Sequence, residues 1–176
     1  MRRLTLVLTG ALAIATAPAL AREHGIGKPV VQNGMIFRPV YLQPVHMAPA
    51  PPGLNANDYD IHLELDIHAG KHNPRGFSPG DWIPYLTVSY LLQKQGSDWT
   101  GFGTMMAMTA NDGPHYGANV KLDGPGKYRI GVKILPPPYR AFFRHTSTET
   151  GVPQWWGPIR HDWTFTYVGV GKKGGY

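Results

Sequence analysis

The chain has 176 residues, with 17 Lys or Arg against 11 Asp or Glu and a formal charge of +6. Apart from Arg2-Arg3 and Lys172-Lys173 no two basic residues are adjacent, which argues against the charged stripe that nucleic-acid binding uses. The absence of Cys excludes a disulfide framework and thiolate ligands, so any metal site must be built from His, Met and carboxylates.

Residues 1–21 fit a secretory signal peptide. Arg2 and Arg3 precede an apolar run that ends in Ala19-Leu20-Ala21, an A-x-A pattern that predicts cleavage after Ala21. The run is interrupted by Thr5, Thr9, Thr16 and Pro18, and no other stretch approaches the roughly 18–20 apolar residues of a membrane span. The expected product is a soluble periplasmic domain over residues 22–169, followed by a flexible tail at 170–176. Loss of Arg2 and Arg3 lowers its charge from +6 to +4.

Taken in order, residues 22–34 read as an arm and Met35–Leu42 as a first strand with an edge-type proline, Pro39. Four prolines and Gly53 make residues 44–57 a loop. Residues 59–68 then alternate strictly. Ile61, Leu63, Leu65 and Ile67 form an apolar side, and Asp60, His62, Glu64, Asp66 and His68 a polar one, the pattern of a strand with one buried and one wet face. A turn-rich stretch at 72–80 leads to a strand over 82–93, apolar on both sides and therefore expected to be central. Residues 100–109 form a strand carrying Met105, Met106 and Met108, and residues 110–117 a tight loop that returns as a strand over 118–122. Further strands are expected over 127–134 and 163–168, separated by Pro136-Pro137-Pro138 and a long loop carrying His145. About seven to nine strands, many turn signals and no helical period predict a single all-β domain, an antiparallel β-sandwich of immunoglobulin-like character.

Three segments carry metal-binding chemistry: His62 and Glu64 on one strand, Met108 and His115 around the Asn111–Pro114 turn, and His145 in the long loop. Imidazoles with a thioether favour copper, whereas a neighbouring carboxylate suits a harder ion. The competing account of the strand over 59–68 is an ordinary solvated face, and spacing alone does not bring the three segments together. Met105 and Met106 point to opposite faces, so one of them fills core; Met106 shares the face of Met108 but receives no role. Asp66 and His68 are expected to support the site, His24, His72 and His161 to lie at the surface, and Trp82, Trp155, Trp156 and Trp163 to anchor core and loops.

The wording of several segments resembles a bacterial periplasmic family associated with high-affinity iron transport. The segments are Tyr41-Leu42-Gln43-Pro44, Asp60-Ile61-His62-Leu63-Glu64, Asp66-Ile67-His68-Ala69, Asn73-Pro74 with Gly76-Phe77, and Pro84-Tyr85-Leu86-Thr87. Asp112-Gly113-Pro114-His115-Tyr116-Gly117-Ala118-Asn119, Arg144-His145, Glu149-Thr150-Gly151-Val152 and Trp155 continue the likeness, which spans roughly residues 26–168. The resemblance implies an immunoglobulin-like sandwich, usually a homodimer, that binds copper and can bind iron or manganese close by. It also implies a membrane iron permease as partner. Carried over by motif, the copper ligands are His62, Met108, His115 and His145, with Glu64 as a further ligand linking the copper position to the iron position.

One departure bears on function: His46 and Ala48 flank Met47 where the family usually carries acidic residues. It favours an alternative in which the protein is a periplasmic copper chaperone or tolerance factor unrelated to iron. A metal-free adhesion module is the third reading, since a sandwich does not fix function. No G-x-S-x-G, H-E-x-x-H or phosphate loop is present, so hydrolytic chemistry is disfavoured.

Overall fold

The computed structural model describes residues 23–51 and 55–169. The expected signal peptide, its cleavage point and the tail after Gly169 lie outside the described residues. Nine strands are present among these: β1 (His24–Gly25), β2 (Val30–Gln32), β3 (Met35–Leu42), β4 (Ile61–Ala69), β5 (Thr87–Lys94), β6 (Thr100–Ala110), β7 (Gly113–Val120), β8 (Gly126–Leu135) and β9 (Ile159–Tyr167). All pairings are antiparallel, in the order β1-β3-β4-β7-β6-β5-β8-β9, with β2 also on β3. Among the described residues no helix is long and apolar enough to cross a membrane.

The strand β6 folds this curled sheet into two layers. Residues 100–105 of β6 pair with β5, whereas Met106 to Ala110 pair with β7. The layers then meet face to face: Phe37 of β3 packs on His161 of β9 at 4.8 Å between ring centroids, and Tyr41 packs on Phe165 at 5.4 Å. Between them lie Ile61, Leu63, Leu65 and Ile67 of β4, all at 0% exposure, with Val88, Leu92, Ile130 and Ile134 opposite. Each such side chain contributes about 1.5–3 kcal/mol through burial. This is the expected all-β sandwich.

Pro39 sits in β3 opposite Leu65 but between the stretches paired with β1 and β2, so its missing N–H costs no ladder bond.

Several local expectations change. The strand expected over 82–93 begins at Thr87, because Pro84 and Tyr85, which has φ +60°, break the extended run; Trp82 makes only an isolated bridge to His68. The expected loop at 110–117 shrinks to a two-residue hairpin turn, Asn111-Asp112, with Ala110 opposite Gly113. Gly113 takes φ +136°, open to glycine and strained for other residues, which lets the chain reverse at once. His115 is therefore a strand residue. The last strand starts at Ile159, and it turns His161 inward. That ring is half-buried between Phe37 and Trp163 and not a free surface group; burial lowers its pKa.

Candidate metal centre

On the outer face of the first layer, β7 lies between β4 and β6. Side chains at paired positions point the same way, so the register lays out a grid. His62 stands opposite Asn119, Glu64 opposite Gly117, Met106 opposite Gly117 from the other side, and Met108 opposite His115. The expected wet face of β4 is not wet at this end: His62, Glu64 and His115 are 0%, 6% and 5% exposed. Two segments cover it. The loop after β3 is fastened over Asn119 by two bonds, Asn119 Nδ2 donating to the Val45 carbonyl at 2.8 Å and Val45 N–H donating to Asn119 Oδ1 at 3.2 Å. The N-terminal arm brings Glu23 beside Glu64.

The donor atoms of His62, Glu64 and His115 all lie within 4.8 Å of one another. Glu64 Oε1 is 3.5 Å from His62 Nε2 and 3.3 Å from His115 Nε2. Neither contact has hydrogen-bond geometry, and both Nε2 atoms are buried without a hydrogen-bond partner. Such orphaned atoms are costly unless something satisfies them. A divalent or soft cation does so, since both imidazoles present lone pairs and the carboxylate supplies charge.

The tautomer of His62 follows from Asn119. Because Asn119 Nδ2 is committed to the Val45 carbonyl, its Oδ1 faces His62 Nδ1 at 2.9 Å and accepts the Nδ1 proton. His62 Nε2 is then the unprotonated nitrogen, turned to the centre, as in metal sites whose histidines are oriented by an outer hydrogen bond.

The glycine at 117 is required by the same geometry. A Cβ there would lie 2.5 Å from His62 Nε2 and 3.3 Å from His115 Cδ2, so the donors occupy space that any other residue would fill.

Burial sets the charges. The pKa of His62 falls from 6.5 to about 4, mainly through desolvation, with the Asn119 hydrogen bond opposing and His115 adding to the fall. That of Glu64 rises from 4.5 to about 8, mainly through desolvation, with Asp66, Glu23 and Asp112 adding repulsion. His62 and Glu64 are thus both held toward their neutral forms.

Glu64 and His115 also border a cavity of about 220 Å³ lined by Glu23, Asp66, Asp112 and His68, with Arg38 at its wall. Burial raises the pKa values of Glu23 and Asp66; Asp66 and Asp112 add repulsion at Glu23, whereas His68, His115 and Arg38 oppose the rise at Asp66. Four carboxylates and two imidazoles around one space make a site for a hard or borderline cation.

The five residues expected from sequence are therefore distributed as follows. His62, Glu64 and His115 converge, and Met108 lies across from His115, half-buried on the same face. His145 does not join the group. It is exposed, its Nδ1 paired with Thr150 Oγ1 at 3.0 Å in a loop tied by Val152 N–H to the His145 carbonyl. Sequence reading missed Gly117 and Asn119, which carry no ligand chemistry, and assigned Asp112 only to a turn.

Residues 20–169 match the family model described as Fe2+ transport protein. The chain belongs to this family. A UPF0423 protein of Brucella abortus is 47% identical over 178 residues, spanning 99% of this chain and 97% of the Brucella protein. The copper-bound structure of a variant of FetP from uropathogenic Escherichia coli strain F11 shares 47% identity and superposes with a TM-score of 0.82, covering 84% of this chain and 99% of that one. Copper-reconstituted P19 protein from Campylobacter jejuni gives 44% identity and a TM-score of 0.83, over 86% and 99% of the two chains. Family and copper-bound relatives together place the chain among metal-binding proteins of an iron-transport context.

Proposed function

We propose that this protein is a periplasmic copper- and iron-binding component of high-affinity iron uptake, working with a membrane iron permease. Copper is held by His62, Met108 and His115 with Glu64, and His145 completes the set from a second copy in a homodimer. Iron, or manganese in its place, is the cargo of the adjacent cavity, with Glu64 shared between the two positions and Glu23, Asp66, His68 and Asp112 around it. The observation that carries this reading is the pair of buried, unpartnered Nε2 atoms facing one carboxylate. Copper in FetP and P19, at 47% and 44% identity, supports the choice of metal. Expression of FetP in the E. coli periplasm supports the compartment. When bound, copper supplies a one-electron couple next to the cargo.

Exposed Leu91 and Phe102, a cross-strand pair on the outer face of the second layer, favour association with a second copy. His145, with Nδ1 engaged by Thr150, keeps Nε2 for such a partner.

The test is metal analysis of protein isolated from the periplasm without added metal, together with growth in iron-poor medium. Stoichiometric copper, lost in His62→Ala along with growth, is expected. Metal-free wild-type protein, or normal growth with the site destroyed, would sink the proposal. The second reading, copper handling without iron, draws on His46 and Met47, metal-ligand types on the loop that Asn119 fastens beside His62. A deletion strain sensitive to copper and indifferent to iron would favour it.

A further inference from the structure

Strand β6 carries two neighbouring methionines, Met105 and Met106, and the pair divides sharply. Met105 is 3% exposed in the core, whereas Met106 points outward and is 39% exposed. Its position is defined by the grid: Glu64 of β4, Gly117 of β7 and Met106 of β6 lie in one row across three strands. Adjacent strands are about 4.8 Å apart, so Glu64 and Met106 face each other across roughly 9–10 Å of sheet, and the residue between them, Gly117, has no side chain of its own. Into that gap project His62 Nε2, 2.5 Å from where a Gly117 Cβ would be, and the His115 ring, 3.3 Å from the same point. Met108, opposite His115, is diagonal to Gly117. By register Met106 is therefore the nearer of the two methionines to the floor of the centre.

We propose that Met106 supplies a second thioether to this centre, engaged when copper is cuprous. Thioether sulfur is a soft donor that suits Cu(I), while imidazole and carboxylate satisfy Cu(II) without it. The unbranched side chain adapts to either state, turning toward the metal or lying along the sheet. Its exposure makes it a donor that an ion arriving from solvent meets before the buried trio. The inference rests on copper binding at His62 and His115 as proposed above. The competing account is that Met106 is apolar cover, like Phe102, which is 80% exposed on the same strand and face. Leucine would serve as cover equally well but offers no sulfur.

The experiment compares wild-type protein with Met106→Leu and Met108→Leu. Cu(I) affinity is measured anaerobically against a chromogenic cuprous chelator, and Cu(II) by chelator competition and its paramagnetic spectrum. Sulfur neighbours of Cu(I) are counted by X-ray absorption. Met106→Leu is expected to weaken Cu(I) binding by about tenfold or more, the scale on which even groups that only touch a metal's ligands act. Its Cu(II) spectrum and affinity stay as in wild type, and the sulfur count falls from two to one. Unchanged Cu(I) affinity in Met106→Leu, a single sulfur in wild type, or equal loss in both oxidation states would overturn the assignment. Wild-type protein that binds copper normally in that event leaves the copper reading standing; wild-type protein that binds none overturns both.

Discussion

Cation binding should release one proton from Glu64 near neutral pH. Its carboxyl is raised to about 8, chiefly because burial penalises the charge, so at pH 7 it is about nine-tenths protonated. His62, lowered to about 4, is neutral above about pH 5, with its proton on Nδ1 and none on Nε2 to displace. The usual order of titration is inverted: the carboxyl, not this imidazole, competes with the metal. Below the raised value each unit of pH costs about 1.4 kcal/mol of affinity, so apparent binding strengthens about tenfold per unit from roughly pH 5.5 to 8 and levels off above. In Glu64→Gln that contribution disappears, and the difference between the two proteins isolates it from protons released elsewhere. Calorimetry of Cu(II) binding at pH 6.5, in two buffers with different ionisation enthalpies, counts the protons. Wild type should release about one more than Glu64→Gln. The linkage to folding has the matching sign: a raised folded value gives stability that is fully present below 4.5 and lost as pH rises through about 8, so metal-free Glu64→Gln should be the more stable protein at pH 8. Equal proton release by both proteins would refute the reasoning.

Two further substitutions probe groups that hold no metal. Gly117→Ala places a methyl 2.5 Å from His62 Nε2, and His62 is wholly buried and tied to Asn119, so it cannot swing aside cheaply. Copper binding should be abolished while circular dichroism still reports a folded β protein; retained stoichiometric copper would contradict the floor assigned to Gly117. Asn119→Ala removes the acceptor of the His62 Nδ1 proton and both bonds to Val45, which should cost about 10–100-fold in copper affinity. Protease cleavage in the loop after β3 should become faster in the same variant, and a loop as resistant as wild type would show that Asn119 does not fasten it.

The alternation over β4 made the sandwich core legible, since inner Ile61 to Ile67 and outer His62 and Glu64 follow from period two alone. That the outer positions are buried did not follow. Their cover comes from Val45 and Glu23, far away in sequence, and local pattern carries no information about such distant lids. The strand identity of His115 was obscured by Asn111-Asp112-Gly113-Pro114, which looks like a longer loop because every residue in it favours turns. Only the strand pairing shows that two of them suffice. Gly117 and Asn119 escaped for a related reason. A glycine acts here by the space it leaves and an asparagine by the nitrogen it orients, and neither effect exists until β4 and β7 are set side by side. His145 was legible as chemistry but not as position: it stands exposed in its loop, bonded to Thr150 and away from the buried trio, and one strand's pattern says nothing of where a distant loop is laid.

Glu64 gives the centre its particular electrostatics. It touches the two imidazoles on one side and borders the acidic cavity on the other, so the charge state of either position is felt by its neighbour. A first cation meets a protonated carboxyl and must displace its proton. A second meets a carboxylate already ionised, and gains from it, but is repelled by the first. Coulomb repulsion scales with the product of the charges. With both positions filled as proposed, cuprous copper would repel a divalent ion in the cavity half as strongly as cupric copper would. By linkage that ion would favour the cuprous form to the same extent that the cuprous form favoured it. The thioether proposed at position 106 would pull in the same direction by a separate route, through donor softness rather than charge. On the proposed reading the two effects together would make reduced copper the state in which both positions are filled most readily.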